Sequence, residues 1–215
     1  SAGKQHDDLV ELTKAWAGTS VAFAVTTTGA ANLTSPILIQ NLLIAAIVCG
    51  LGFVLHELAH RQVARGYGAR AHFAADTRWL LISIGLAFAG VFIAAPGAVW
   101  YTGVTDAGRT GKIAAAGPLA NYALALFFLL LYPVLFLAGI QDDIFLYICM
   151  QGFAFNAWVG LFNLIPGGPF DGAKVLAWST PVYVVMVAAG AFMAFYMNQQ
   201  SLYISMWGWL IGLVG

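Results

Sequence analysis

The feature that most constrains this chain is an uncharged apolar run, residues 41–55, that leads directly into the motif His56-Glu57-Leu58-Ala59-His60. On a helix, residues four positions apart lie on the same face, about one turn from each other. His56 and His60 can therefore hold one metal ion between them, and Glu57 can take a proton from a water molecule beside it. Two imidazoles and a general base in this spacing are typical of metal-dependent hydrolases.

A chance match to this motif is common in soluble helices, but the apolar surroundings make chance a poor explanation here. Ionisable groups inside a membrane helix are costly and usually functional. Three such groups fall within five residues, from His56 to His60. The pattern therefore favours a metal site over simple packing.

The composition indicates a membrane protein. Of the 215 residues, 61% are hydrophobic and only 8% are charged, whereas a soluble domain carries about 25% charged residues. A helix needs about 20 apolar residues to cross a bilayer, so the length allows about five or six crossings and no separate soluble domain. The formal net charge of zero gives no indication of a nucleic-acid partner. We expect one domain, residues 1–215, in an all-α polytopic membrane protein with about six transmembrane helices.

The apolar segments predict the order of these helices. The predicted crossings are residues 15–33, 37–60, 113–138, 144–165 and 181–197, with a short apolar segment at 202–215. The second crossing carries the metal motif near its end, and basic residues follow it at once. By the positive-inside rule, this end of the helix lies on the cytoplasmic side.

A further apolar segment, residues 79–95, is expected not to cross the membrane. Arg78 and Arg109 flank the region with the same charge sign, and its length is marginal for a crossing. We therefore predict a re-entrant segment leading into an extended run, residues 96–105, which is rich in strand formers. This small re-entrant or β element would lie near the active site, where its edge can pair with an unwound peptide.

A catalytic zinc usually has three protein ligands and one open position, so a third ligand is required. A third histidine six residues after His60 is excluded because position 66 is glycine, and no glutamate follows Glu57. The acidic residues after the motif are Asp76, Asp106, Asp142, Asp143 and Asp171. Only Asp171 lies in a Pro/Gly-rich break between apolar segments, and such breaks are tolerated at membrane depth where they line a protein cavity. Asp171 is therefore the favoured third ligand.

Three motifs in this order resemble the site-2 protease family of intramembrane metalloproteases. They are the motif from His56 to His60, the segment Gly117-Pro118-Leu119-Ala120-Asn121, and the segment from Asn163 to Gly172. The resemblance covers roughly residues 37–175, which we take as the catalytic core. The last motif departs from the family pattern, in which proline usually follows the asparagine directly. Here Leu164 holds that place, and Pro166 comes two residues later.

The resemblance implies roles for six residues. One zinc ion (Zn2+) would be bound by His56, His60 and Asp171, with Glu57 as the catalytic base. Asn121 and Asn163 would contribute to the oxyanion site or contact the substrate backbone. For these two asparagines, a purely structural hydrogen bond between helices is an equally good interpretation.

The implied function is a zinc endopeptidase that hydrolyses a peptide bond within or near transmembrane segments of membrane proteins. Its partners would be a transmembrane protein substrate and the lipid bilayer, not nucleic acid. We expect an integral protein of a prokaryotic plasma membrane, with the active site towards the cytoplasmic side. The alternative is a metal-binding membrane protein without proteolysis, such as a transporter or a sensor scaffold. The presence of Glu57 argues against that alternative, because such a protein needs no general base.

Overall fold

The computed structural model describes residues 2–93 and 97–214. Within these residues, four helices are long and apolar enough to cross a membrane. They are α2 (Ile37–Gly66), α4 (Ala107–Leu137), α5 (Asp143–Phe162), and a helix over Thr180–Met197 that consists of α7 (Thr180–Ala191) and a π-helical turn (Phe192–Met197). The chain is therefore a largely helical, membrane-embedded protein.

The remaining elements are a long first helix, three shorter helices and two strands. They are α1 (Ala2–Thr28), β1 (Arg70–Ala75), α3 (Thr77–Ala87), β2 (Gly97–Thr102), α6 (Gly172–Trp178) and α8 (Gln200–Val214). A short 3-10 turn at Ala30–Asn32 links α1 to α2.

Four candidate crossings in the described residues are fewer than the six or so predicted. The first predicted crossing, residues 15–33, overlaps α1 only as far as Thr28. Helix α1 begins as early as Ala2 and contains charged and hydroxyl-bearing residues that lower its hydropathy. The final helix, α8, has 15 residues. At about 1.5 Å per residue it is shorter than the roughly 30 Å hydrocarbon core.

Helix α4 lies at the centre of the packing and contacts α2, α5, α6 and α8. Its buried face includes Ala125 and Phe128, which belong to one large core with Val48 of α2 and Phe153 of α5. The Tyr122 hydroxyl donates to the backbone of α7, 3.1 Å from the Met186 carbonyl oxygen. These contacts hold α2, α4 and α5 together where the predicted site residues lie.

The strands β1 and β2 pair in an antiparallel two-stranded sheet, with Arg70 opposite Thr102 and Ala75 opposite Gly97. Strand β2 lies within the run predicted to be extended, whereas β1 follows the second predicted crossing, where no strand was predicted. The Ala75 amide donates to Glu11 Oε2 at 3.1 Å. The first helix is thereby attached to the end of β1.

Helix α3 occupies the first part of the segment that was predicted to be re-entrant. It has 11 residues, so at about 1.5 Å per residue it is too short to cross a bilayer. The chain turns at Gly90, and the Ser83 hydroxyl donates to the Ile93 carbonyl oxygen at 2.5 Å. Residues 94–96 lie outside the described part, and the depth of this region in the membrane stays a prediction.

Candidate metal centre

Three of the predicted site residues meet at one point between α2, α4 and the start of α6. His56 and His60 lie on one face of α2, and Asp171 ends the irregular segment between α5 and α6. The distances from Asp171 Oδ2 are 3.1 Å to His60 Nε2 and 3.5 Å to His56 Nε2. The two Nε2 atoms are 3.0 Å apart. Among the described residues, these three form a cluster that could hold a metal ion.

Hydrogen bonds to the other ring nitrogens define which atoms face the centre. His56 Nδ1 lies 2.6 Å from Asn121 Oδ1, and His60 Nδ1 lies 2.7 Å from the Ile113 carbonyl oxygen. Both partners are acceptors, so each Nδ1 carries the proton and donates it. In the neutral imidazoles, both Nε2 lone pairs then point towards each other and towards a carboxylate oxygen. Three converging acceptors need a cation between them.

The spacing of the three donor atoms also fits zinc. Bonds of about 2.0–2.1 Å in a tetrahedral site place neighbouring ligand atoms about 3.3 Å apart. The observed separations of 3.0, 3.1 and 3.5 Å lie around this value. Two nitrogen atoms and one carboxylate oxygen with a fourth position left open match the donor set of a catalytic zinc.

Gly117 of α4 faces the gap between the two imidazoles. A Cβ atom at this position would meet His60 Nε2 and would lie 2.5 Å from His56 Nε2. Any side chain would therefore occupy the space that a bound ion needs. This explains in physical terms why a glycine precedes Pro118 in the second motif.

The irregular segment after α5 positions Asp171 through its backbone. The Gly172 amide donates to the Asn163 carbonyl oxygen at 2.9 Å, and a Cβ at Gly172 would collide with the Leu164 carbonyl. Lys174 Nζ lies 4.0 Å from Asp171 Oδ1, the oxygen that does not face the histidines. Asp171 is thus held with Oδ2 towards the centre.

Glu57 lies on α2 next to His56 and is only 2% exposed. Its Oε1 accepts a hydrogen bond from Arg61 Nε at 2.7 Å. The carboxylate is therefore buried and paired with a cation of its own helix.

The two asparagines that were predicted to act in catalysis and substrate binding have different surroundings. Asn121 is fully buried, and its Nδ2 group donates to the Gly52 carbonyl oxygen and to Asn156 Oδ1, while its Oδ1 accepts from His56. These bonds favour the structural interpretation and leave no Asn121 donor for an oxyanion. Asn163 Nδ2 donates to Val159 of its own helix. Substrate contact by Asn163 stays a prediction.

Sequence reasoning missed three groups that support the centre. Asn156 bonds to Asn121, Ile113 supplies a backbone acceptor, and Arg61, one of the basic residues that follow the motif, donates to Glu57. Asn156 is a fully buried polar residue in an apolar helix. An asparagine among apolar residues could have predicted this role from the sequence, since polar side chains in such helices bond to neighbouring helices.

The fold and the three-residue cluster together define a membrane-embedded metal-binding protein. A protein of Methanocaldococcus jannaschii whose name describes it as a putative zinc metalloprotease is 41% identical over 147 residues, which are 67% of this chain and 74% of that protein. The chain belongs to this family of zinc metalloproteases. The predicted cofactor, Zn2+, is confirmed by this relationship together with the His56, His60 and Asp171 cluster. No protein-family model matches the chain, and no solved structure gives a significant match.

Proposed function

We propose that the protein is an intramembrane zinc endopeptidase of the site-2 protease type, which cleaves a peptide bond within or near a transmembrane segment of another membrane protein. The observation that carries the proposal is the convergence of His56, His60 and Asp171 inside a set of long apolar helices. His60 lies six residues before the end of α2, about 9 Å along the helix axis. The site would therefore open near the basic, cytoplasmic end of that helix.

In this proposal, His56, His60 and Asp171 hold the zinc ion, and Glu57 is the general base. When bound there, zinc would polarise the scissile carbonyl and lower the pKa of water. Glu57 accepts the proton of the attacking water and later gives it to the leaving amine. Asn121 keeps the His56 ring in the orientation that directs Nε2 to the centre.

The substrate must unwind locally, because a helix hides its backbone amides and carbonyls. Strands β1 and β2 form a two-stranded sheet, so each strand has an edge without a strand partner in that sheet. We propose that one such edge pairs with the unwound substrate segment and presents it to the centre. The position of Asn163, next to the segment that carries Asp171, is consistent with a contact to the same substrate backbone.

The test is cleavage of a model transmembrane substrate by the purified protein in liposomes, with and without a zinc chelator. We expect cleavage to stop with the chelator and to return with added zinc. Glu57→Gln should keep one zinc per chain and lose at least about a hundredfold in rate. Zinc binding without cleavage of any membrane substrate would favour a non-proteolytic metal protein, and substantial cleavage by Glu57→Gln would show that another group is the base.

A further inference from the structure

We propose that Arg61 is a positioning residue that fixes the Glu57 carboxylate beside the metal centre; this inference rests on the function proposed above. Arg61 Nε donates to Glu57 Oε1 at 2.7 Å. The two residues are four positions apart on α2, the spacing at which helical side chains meet. The bond thus connects the predicted base, Glu57, to a residue one turn later in the same helix.

The contact is largely removed from solvent. The side chain of Glu57 is 3% exposed and that of Arg61 is 16% exposed. The pair Arg109–Asp106 provides a contrast, because its side chains are 57% and 56% exposed and 3.6 Å apart. An exposed pair contributes little to structure, whereas a buried charge-assisted hydrogen bond holds its partners in one geometry.

Helix geometry explains why Glu57 needs such a partner. At about 100° per residue, the Glu57 side chain leaves α2 roughly 80° from the mean direction of the two histidines, and Arg61 leaves about 40° further round. Glu57 therefore lies between the face that holds the ligands and the face that carries Arg61. Without Arg61, the flexible glutamate side chain can adopt rotamers that point away from the centre.

Arginine suits this role better than lysine. Its guanidinium is planar and always charged, and its Nε–H has a fixed direction relative to the rest of the fork. Lysine would preserve the charge but would hold the carboxylate with a freely rotating ammonium group. Arg61 touches neither substrate nor zinc in this proposal and acts only through Glu57.

The experiment is a double-mutant cycle on the full chain in liposomes with the same model substrate. Arg61→Gln should lower kcat by at least about tenfold, the range seen for groups that orient catalytic residues. KM and zinc content should stay near the native values, whereas the melting temperature should fall, because Arg61→Gln leaves the buried Glu57 carboxylate without its counter-ion. In the Glu57→Gln background, adding Arg61→Gln should cause no further loss, because the residue on which Arg61 acts has already been removed. Arg109→Gln, the same change in the exposed pair, should leave kcat unchanged.

If Arg61→Gln does not fold, Arg61→Lys can be measured instead. The kcat of Arg61→Lys should fall below the native value. Native kcat in Arg61→Lys would show that charge alone suffices and would overturn the inference. So would an equal loss from Arg61→Gln with and without Glu57, or no loss at all. Activity retained by Glu57→Gln alone would instead overturn the proposed function, so the two failures are distinguishable.

Discussion

The Oδ1 atom of Asn121 lies 2.6 Å from Nδ1 of His56, and this hydrogen bond connects α4 to α2 at the metal centre. Asn121 in turn donates to Asn156 Oδ1 at 2.9 Å and to the Gly52 carbonyl oxygen at 3.1 Å. The orientation of a single imidazole therefore depends on contacts among three helices. The metal site and the packing of α2, α4 and α5 are built from the same atoms.

Replacing Asn121 should weaken metal binding. Asn121→Ala removes the acceptor for His56 and the donor for Asn156, so we expect zinc affinity to fall about 10- to 100-fold. The measurement is competition with a chromogenic chelator. Asn163→Ala is the matched control, because that side chain donates to its own helix, and its affinity should stay within about threefold of native. An unchanged affinity in Asn121→Ala would show that His56 is oriented without it.

Replacing Asp171 should have a larger effect than replacing Asn121. Asp171→Asn keeps the size of the side chain but removes the negative charge that faces both Nε2 atoms. Zinc affinity should fall by more than about a hundredfold, because about a hundredfold is already the largest loss expected for a residue that only supports a ligand. The matched control is Asp142→Asn, a substitution just before the start of α5, and this variant should bind zinc normally. Normal binding by Asp171→Asn would contradict the proposed third ligand.

A methyl group at position 117 should displace the ion. In Gly117→Ala, the new Cβ would meet both histidine Nε2 atoms, so zinc content should drop while the helices remain folded. Gly85→Ala in α3 adds the same methyl group where nothing lies within 4 Å, and it should change neither zinc content nor folding. Circular dichroism and metal analysis of the two variants provide the comparison. Full zinc occupancy in Gly117→Ala would exclude this position for the ion.

The segment between Arg78 and Arg109 should start and end on one side of the membrane. Both residues are exposed, and the native cysteines, Cys49 and Cys149, are buried and can be changed to alanine. Single cysteines at positions 78 and 109 should then react with an impermeant reagent from the cytoplasmic side only, because α3 is too short to cross. Labelling from opposite sides would contradict the re-entrant path.

The residues of the candidate metal centre could be predicted from the sequence, whereas some of the elements around it could not. His56 and His60 were predicted because ionisable residues are rare and costly in apolar helices, which makes each one informative. Asp171 was predicted because the other acidic residues after the motif lie outside such a Pro/Gly-rich break between apolar segments. The structure brings all three together. Strand β1 was missed because it pairs with residues of β2 that lie between 22 positions (Ala75 with Gly97) and 32 positions (Arg70 with Thr102) further along the chain, and local composition does not reveal such contacts.

The number of membrane helices and the role of Asn121 were harder to predict for a related reason. Whether α1 crosses depends on a balance between its apolar half and its charged beginning, and a hydropathy pattern alone does not set that balance. An asparagine near an active site can contact either a substrate or a neighbouring helix. Only the three-dimensional partners of Asn121 distinguish these two roles.

The two histidines differ in how vulnerable they are to mutation. His56 depends on a side chain, Asn121, which a single base change in the gene can alter. His60 depends on the Ile113 carbonyl oxygen, an atom that every amino acid at position 113 would supply. A scan of point substitutions would therefore detect the support of one histidine and overlook that of the other, although both imidazoles are held equally closely.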